Sequence, residues 1–322
     1  MTASYRIIDY SLRPAKFAER KMLCEMFSRL KVFGSLESYR YIGFGSIWFT
    51  DCVLFHRALG IEDIISIEKE EAHAERFAFN NPYRGIQLIM GTAAEVLPGL
   101  DWTHRSILWL DYDDPLSPSI LDDVRTIATR AMSGTVLAVS VQAEKLDDKR
   151  PHVEEQIKVT TPEQFRDFFG DARTPRELEA AGLRGWTLSK TSRSIIRQEV
   201  EDGLLASNAG RSAAQRLQFR QIGAFEYADG AKMTTIVGVF VDQGQNALFE
   251  SAGFRELSFF RDGDDALRIK VPLLTPREMR HLDRSLPRDG DKNLELGPIP
   301  ESDGNNYAKL YRYLPNFASF EP

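Results

Sequence analysis

Cysteine is scarce in this sequence. Cys24 and Cys52 are the only two among 322 residues, which excludes a disulfide framework and a thiolate zinc cluster. Histidine is nearly as thin: five residues (His56, His73, His104, His152, His281), never spaced as a metal-binding pair, so no metal site is expected. There is no excess of positive charge, since 41 Lys+Arg face 47 Asp+Glu for a net charge of -6. Nucleic acid is therefore not indicated as a partner, because non-specific binding depends on neutralising phosphates. No apolar run approaches the roughly 18 residues needed to span a bilayer, and the N-terminus lacks the apolar core of a signal peptide. The expectation is a soluble cytoplasmic protein with no membrane partner. What is present is an ordinary globular composition, 43% hydrophobic and 27% charged. A large core is attainable, as one big domain with an appendage or as two domains.

Residues 12–31 place Phe17, Met22, Leu23, Met26, Phe27 and Leu30 at helical spacing. The pattern then changes to short apolar runs separated by helical ones. Strands are predicted at 38–45, 63–69, 86–91, 106–111 and 135–141, with helices between them. Continuous apolar strands alternating with helices mean a parallel sheet covered on both faces, a doubly wound α/β sandwich. Residues 151–218 turn polar and helical, an insertion. Runs 221–227 and 233–241, joined through Gly230, predict an antiparallel hairpin. Beyond Gly244 a further strand pair is predicted at 256–261 and 266–271, then a helix from Thr275 with Pro276 and Glu278 as N-terminal signals. The tail after Pro287 reads as coil. The expected division is a helical lid over 1–34, the sandwich over 35–245, and a small α+β appendage over 246–322. That appendage would cover the cleft or form a homodimer contact.

Five constellations carry chemistry. Gly43, Gly45 and Ser46 end the first strand and open a helix, where glycines let a ligand approach and free N–H groups favour anions. A dinucleotide fingerprint needs a third glycine where Trp48 stands, which weakens a nicotinamide reading. Glu68 ends the second strand and can accept two hydrogen bonds from ribose hydroxyls. Thr92 and Ala93 follow the third strand, where a base would lie. Asp111, Tyr112 and Asp113 close the fourth strand, and ligands sit outside the carboxyl ends of such strands. Asp111 or Asp113 could serve as general base. Asp113 and Asp114, ahead of Pro115, could equally cap the next helix. Arg13, Lys16 and Arg20 share one helical face, either a solvated basic face or a site for an anionic substrate.

A glycine turn after strand one, acids after strands two and four, and a terminal hairpin together resemble the class I S-adenosylmethionine-dependent methyltransferases. The resemblance covers roughly residues 35–245. Within it, YIGFGSIWFTDCVLFHRALGI and ISIEKE, preceded by RPAKFAERKML, resemble a bacterial family labelled putative O-methyltransferase. The resemblance implies a Rossmann-like fold and S-adenosylmethionine as cofactor. Gly43, Gly45 and Ser46 would border its methionine part, Glu68 would hold the ribose, Thr92 and Ala93 would border the adenine, and Asp111 would face the methyl group. Arg13, Lys16 and Tyr112 would bind an acceptor of unknown identity. Departures are the missing third glycine and Thr92 in place of an acid. Two other classes stay open: a nicotinamide-dependent oxidoreductase and a non-catalytic nucleotide-binding module.

Overall fold

Strand β1 (Arg40–Gly43) lies inside a sheet of eight strands, between β2 (Asp63–Glu68) and β4 (Ser106–Pro115). The computed structural model of the chain describes residues 13–148, 157–288 and 294–315. Residues 1–12 of the expected lid and 149–156 of the expected insertion thus lie outside the described residues. Beyond β2 comes β3 (Ile86–Met90), and beyond β4 comes β5 (Val136–Gln142), all parallel. The remaining neighbours are β9 (Ala231–Asp242), antiparallel to β5, then β8 (Leu217–Asp229), antiparallel to β9. Only Gly230, at φ 99°, separates β8 from β9, so the turn is tighter than the five-residue connection expected from sequence. The order 3-2-1-4-5-9-8 confirms the doubly wound α/β sandwich with a terminal antiparallel hairpin.

Period-two alternation divides the core into two layers. Tyr41, Ile64, Ile107, Trp109 and Ala138 point to the face covered by α1 (Pro14–Ser28) and α2 (Thr50–Leu59). Ile42, Ile65, Leu108, Leu110 and Val139 point to the other face, covered by α5 (Pro118–Arg130) and α7 (Gly185–Asn208). Short helices α3 (Ala74–Asn80) and α4 (Ala93–Val96) complete the crossovers, and α6 (Pro162–Phe169) packs Phe165, Phe168 and Phe169 into the second layer. A two-stranded ribbon, β6 (Leu146–Asp148) with β7 (Ile157–Val159), introduces strand into the stretch read as helical.

Three expectations beyond residue 246 need correction. Residues 256–261 form no strand but a 3-10 turn (Phe254–Glu256) and coil, with Phe254, Leu257 and Phe259 buried in the first layer. The second predicted run supplies only β10 (Leu267–Arg268), which pairs parallel to β8 of the main sheet. Packing rather than a ladder buries these apolar side chains. The tail read as coil contains α10 (Glu301–Leu310), which turns Tyr307 and Leu310 inward despite Gly304. Between lie α8 (Asn246–Ser251) and α9 (Pro276–Asp283), the latter with Thr275 and Glu278 in the expected capping box. Among the described residues no helix is long and apolar enough to cross a membrane.

Candidate functional site

Register decides where the candidate residues meet. Gly43 is level with Ser66 on one side and Trp109 on the other. Glu68 and Asp111 each lie two residues further on, so both carboxylates flank the end of β1 on the α1/α2 face of the sheet. Strand spacing puts their backbones about 10 Å apart. Two of the acids singled out in the sequence therefore lie at one place in the sheet.

The glycine turn is filled by the protein itself. A Cβ on Gly43 would lie 2.4 Å from Tyr41 Oη and 3.0 Å from the Trp109 carbonyl oxygen. One on Gly45 would lie 2.5 Å from Ser66 Oγ. Both glycines are therefore imposed by packing at this turn, not only by access for a ligand. The turn also holds the two non-glycine residues with left-handed backbone among the described ones, Ser46 (φ 50°) and Phe49 (φ 48°). Such conformations cost about 1–2 kcal/mol each and cluster at functional sites. Here they delay the helix: α2 starts at Thr50 instead of directly after the glycines. That delay is how the missing third glycine is tolerated, because Trp48 points outward with 46% of its surface exposed.

Glu68 is buried beneath this turn. The backbone at Ser46 and Gly45 faces its carboxylate, Ser66 Oγ donates to it at 3.4 Å, and the Gly45 N–H donates to Ser66 Oγ at 3.1 Å. Burial pushes its carboxyl up to about 7 against the pull of those donors, and the Asp113 charge adds to the rise. Asp113 and Asp114 are exposed, and neither caps α5. That role falls to Ser117, whose hydroxyl accepts from the Ile120 N–H at 3.4 Å.

On the other flank, Asp111 accepts from Lys16 Nζ at 2.6 Å. Lys16 is fully buried, lies 3.0 Å from Glu19 Oε2, and sits 4.2 Å above the Trp109 ring. Thr235 Oγ1 donates to Glu19 and is itself 2.7 Å from Ser140 Oγ, which accepts from Trp109 Nε1 at 2.9 Å. Burial raises the Glu19 carboxyl in spite of the Lys16 charge. Arg20, one turn on from Lys16, forms a buried ion pair with Asp51 of α2. The helix is anchored at its start as well, where the Lys16 N–H donates to Asp229 Oδ2 at 2.9 Å. The solvated basic face is thereby overturned: Lys16 and Arg20 point inward, and α1 is part of the core. Arg13 stands at the N-cap position of α1, half-buried.

Two candidates lie elsewhere. Alternation turns Tyr112 to the opposite face from Asp111, where its hydroxyl donates to Asp123 Oδ2 at 2.8 Å and its ring meets Phe44 edge-on. Tyr112 thus does not join Arg13 and Lys16. The Thr92 hydroxyl is engaged in a capping box with Glu95 at the start of α4, and Ala93 is buried below it. The end of β3 therefore offers a ligand main chain and a methyl group, not a free hydroxyl. Sequence reasoning missed Glu19, Asp51 and Thr235. For Glu19 the signal was available, since Lys16 and Glu19 fall three apart within the apolar stripe of Ala15, Ala18 and Met22. Among the described residues, no group of three or more His, Cys, Asp and Glu side chains could hold a metal ion.

An eight-stranded sheet of this order, with a glycine turn and two acids at its central carboxyl ends, defines a Rossmann-like methyltransferase fold. The family described as "putative O-methyltransferase" matches residues 8–322, and the chain belongs to that family. No curated protein matches the chain. Among solved structures, the chain is similar to the O-methyltransferase TomG of Streptomyces achromogenes in complex with SAM. Identity is 18%, the match covers 72% of this chain and 90% of that one, and the TM-score is 0.34. An O-methyltransferase family protein from Burkholderia thailandensis matches at 12% identity over 69% and 56% of the two chains, with a TM-score of 0.35. The apo form of the S-adenosylmethionine-dependent methyltransferase SibL matches at 11% identity over 63% and 50%, with a TM-score of 0.34. The match spans only half the length of SibL and 45% of LepI in its complex with SAM.

Proposed function

We propose that the protein is an S-adenosylmethionine-dependent methyltransferase acting on an oxygen acceptor. The observation that carries this reading is the placement of Glu68 and Asp111 on one sheet face, either side of the glycine turn. The donor set fits the cofactor. A ribose diol needs a paired acceptor, which the Glu68 carboxylate supplies once ionised, and the turn residues Gly43, Gly45 and Ser46 border the methionine part. Thr92 contributes its backbone and Ala93 its methyl group beside the adenine. When bound, the cofactor brings a methyl group already activated on a sulfonium, so the chain has to align an acceptor and exclude water.

Asp111 is the group nearest that task. Lys16 fixes its direction from 2.6 Å, while one side remains open, with 14% of its side chain exposed. A hydroxyl donating to Asp111 would be aimed and made more nucleophilic as its proton moves toward the carboxylate. Asp113, exposed and across from Glu68, is the alternative base. Lys16 and Arg20 are already matched by Glu19, Asp111 and Asp51, so they lend no spare charge to an anionic acceptor. The structure therefore favours a neutral hydroxyl acceptor over an anionic one. The deciding experiment is titration calorimetry with S-adenosylhomocysteine and with NAD. Binding of the former alone, weakened about 10- to 100-fold in Glu68→Ala, is expected for a lost charge-assisted hydrogen bond pair. Binding of NAD instead, or of neither, would overturn the reading.

A further inference from the structure

A cavity of about 420 Å3 opens at the far edge of the sheet, between α7, the first half of β8 and residues 249–262. Its size is that of a small-ligand pocket, which runs from roughly 300 to 1,000 Å3. It is remote from Glu68 and Asp111. Phe219 in its floor pairs with Phe240, which bonds to Thr135 at the start of β5, whereas Asp111 is level with Ser140, five residues further along. Adding three strand spacings sideways gives a separation of about 20 Å.

The floor offers unpaired main chain. Phe240 spends its N–H and C=O on Thr135 and Gly134, on the β5 side. In an antiparallel ladder the opposed Phe219 must then turn its own N–H and C=O outward. β10 shields only Phe225 and Glu226. The opening is short, however, running only from Phe219 to Gln221. The Asn208 side chain takes both the N–H and C=O of Leu217, and Arg261 closes on Ile222 while the Gln221 amide donates to the Arg261 and Gly263 carbonyls. An added strand has no room here; a compact molecule does.

The walls are cationic and aromatic. Arg220 lies 4.4 Å over the Phe249 ring and Arg255 5.1 Å over Phe260, so two guanidinium groups are held over aromatic rings within cation–π range. Arg197 of α7 is the third. Glu201 and Asp262 also line the cavity, and Glu250 and Asp264 stand at its margin, so each of the three arginines already has a carboxylate beside it and an entering anion must displace one. The acids that pair these arginines are about half exposed: Glu250 2.8 Å from Arg220, Asp262 2.9 Å from Arg255, and Asp264 3.2 Å from Arg197. Ion pairs that open to water contribute at most about 1 kcal/mol and exchange for a better anion.

We infer that this cavity binds a small organic anion, one flat ring bearing a phosphate or a carboxylate. The ring stacks against Phe219 and the arginine–phenylalanine pairs, the anionic group takes the guanidinium forks of Arg220 and Arg255, and the Phe219 N–H donates to it. Calorimetry on the full chain tests this with phenyl phosphate and benzoate, and with inorganic phosphate and phenol as charge-only and ring-only probes. At least one of the two ring-bearing anions should bind with a Kd below about 1 mM, and which one does so identifies the anionic group. That binding should fall about tenfold or more in Arg220→Gln and in Arg255→Gln, and be unchanged in Glu68→Gln, whose site is on the other flank. The thermal midpoints of the two arginine variants should stay close to the parent. Four results would overturn the inference: no saturable binding of either anion, binding indifferent to both arginine variants, binding lost in Glu68→Gln, or inorganic phosphate alone binding as tightly, which would mean an adventitious ion only.

Discussion

Replacing Lys16 by Met tests the charge cluster at its centre. Lys16 is fully buried between Glu19, also fully buried, and Asp111, whose side chain is 14% exposed. Methionine keeps an apolar stem over Trp109 and removes only the ammonium, so lost packing is small. Leaving a buried partner uncompensated costs about 3–5 kcal/mol. Glu19 can soften that penalty by taking up a proton, since burial already raises its carboxyl in the parent protein. The sign follows from linkage. A carboxyl whose folded value is raised binds more protons folded than unfolded, so its contribution is present at low pH and lost as pH rises through the folded value. Lys16→Met removes the countercharge and raises Glu19 further, so its penalty must grow with pH. Urea denaturation at about pH 5.5 and about pH 8 reads this out, with a loss near the full 3–5 kcal/mol expected at the higher pH and clearly less at the lower. Adding Glu19→Gln should restore part of the loss at the higher pH, a coupling measurable as a double-mutant cycle. A penalty below about 1 kcal/mol that is the same at both pH values would show a hydrated cluster and refute the reasoning.

Cofactor affinity should rise with pH through about 7, because Glu68 titrates there and only its ionised form accepts two ribose hydrogen bonds. Calorimetry with S-adenosylhomocysteine across that range should give a slope that vanishes in Glu68→Gln. Gly43→Ala should destabilise the fold by about 1–3 kcal/mol through overpacking against Tyr41 and Trp109. Denaturation of Gly43→Ala with and without Tyr41→Phe should show partial recovery, since the Tyr41 hydroxyl is the nearest atom to the added methyl. Asp111→Asn should abolish methyl transfer while leaving S-adenosylhomocysteine affinity within about tenfold, an effect confined to the transition state. Equal loss of binding and turnover would make Asp111 a cofactor ligand instead.

The sheet was legible because its signals are local and redundant. Each parallel strand is an apolar run bounded by turn residues, and crossover handedness leaves few ways to order five of them. The hairpin declared itself through Gly230. Legibility ended where burial is achieved without periodic structure. Leu257, Phe259 and Phe260 look like a strand in sequence because they are apolar and closely spaced, but the run meets the edge of β8 only at Arg261, through Ile222 and the Gln221 amide. The helix at 301–310 was hidden by its own composition: Gly304, Asn305 and Asn306 lower intrinsic propensity, and only Tyr307 and Leu310 packing inward sustains it.

The site shows a different boundary. Positions on the strands were readable from register alone, since Glu68 and Asp111 are fixed by where their strands end. What a side chain spends itself on was not readable. Arg13, Lys16 and Arg20 look like one basic face because helical spacing says nothing about which way the helix is turned. The same helix carries Ala15 and Ala18 between those charges and Met22 and Leu23 just after them, and nine of its fifteen residues are buried. A helix whose apolar stripe includes charged residues must bring them to partners, for an unpaired buried charge is not tolerated. The partners had to be carboxylates near the sheet's carboxyl ends, and Asp51 and Asp111 are there. Charge inside an apolar stripe was thus the signal for a buried network, and the basic face was one half of it.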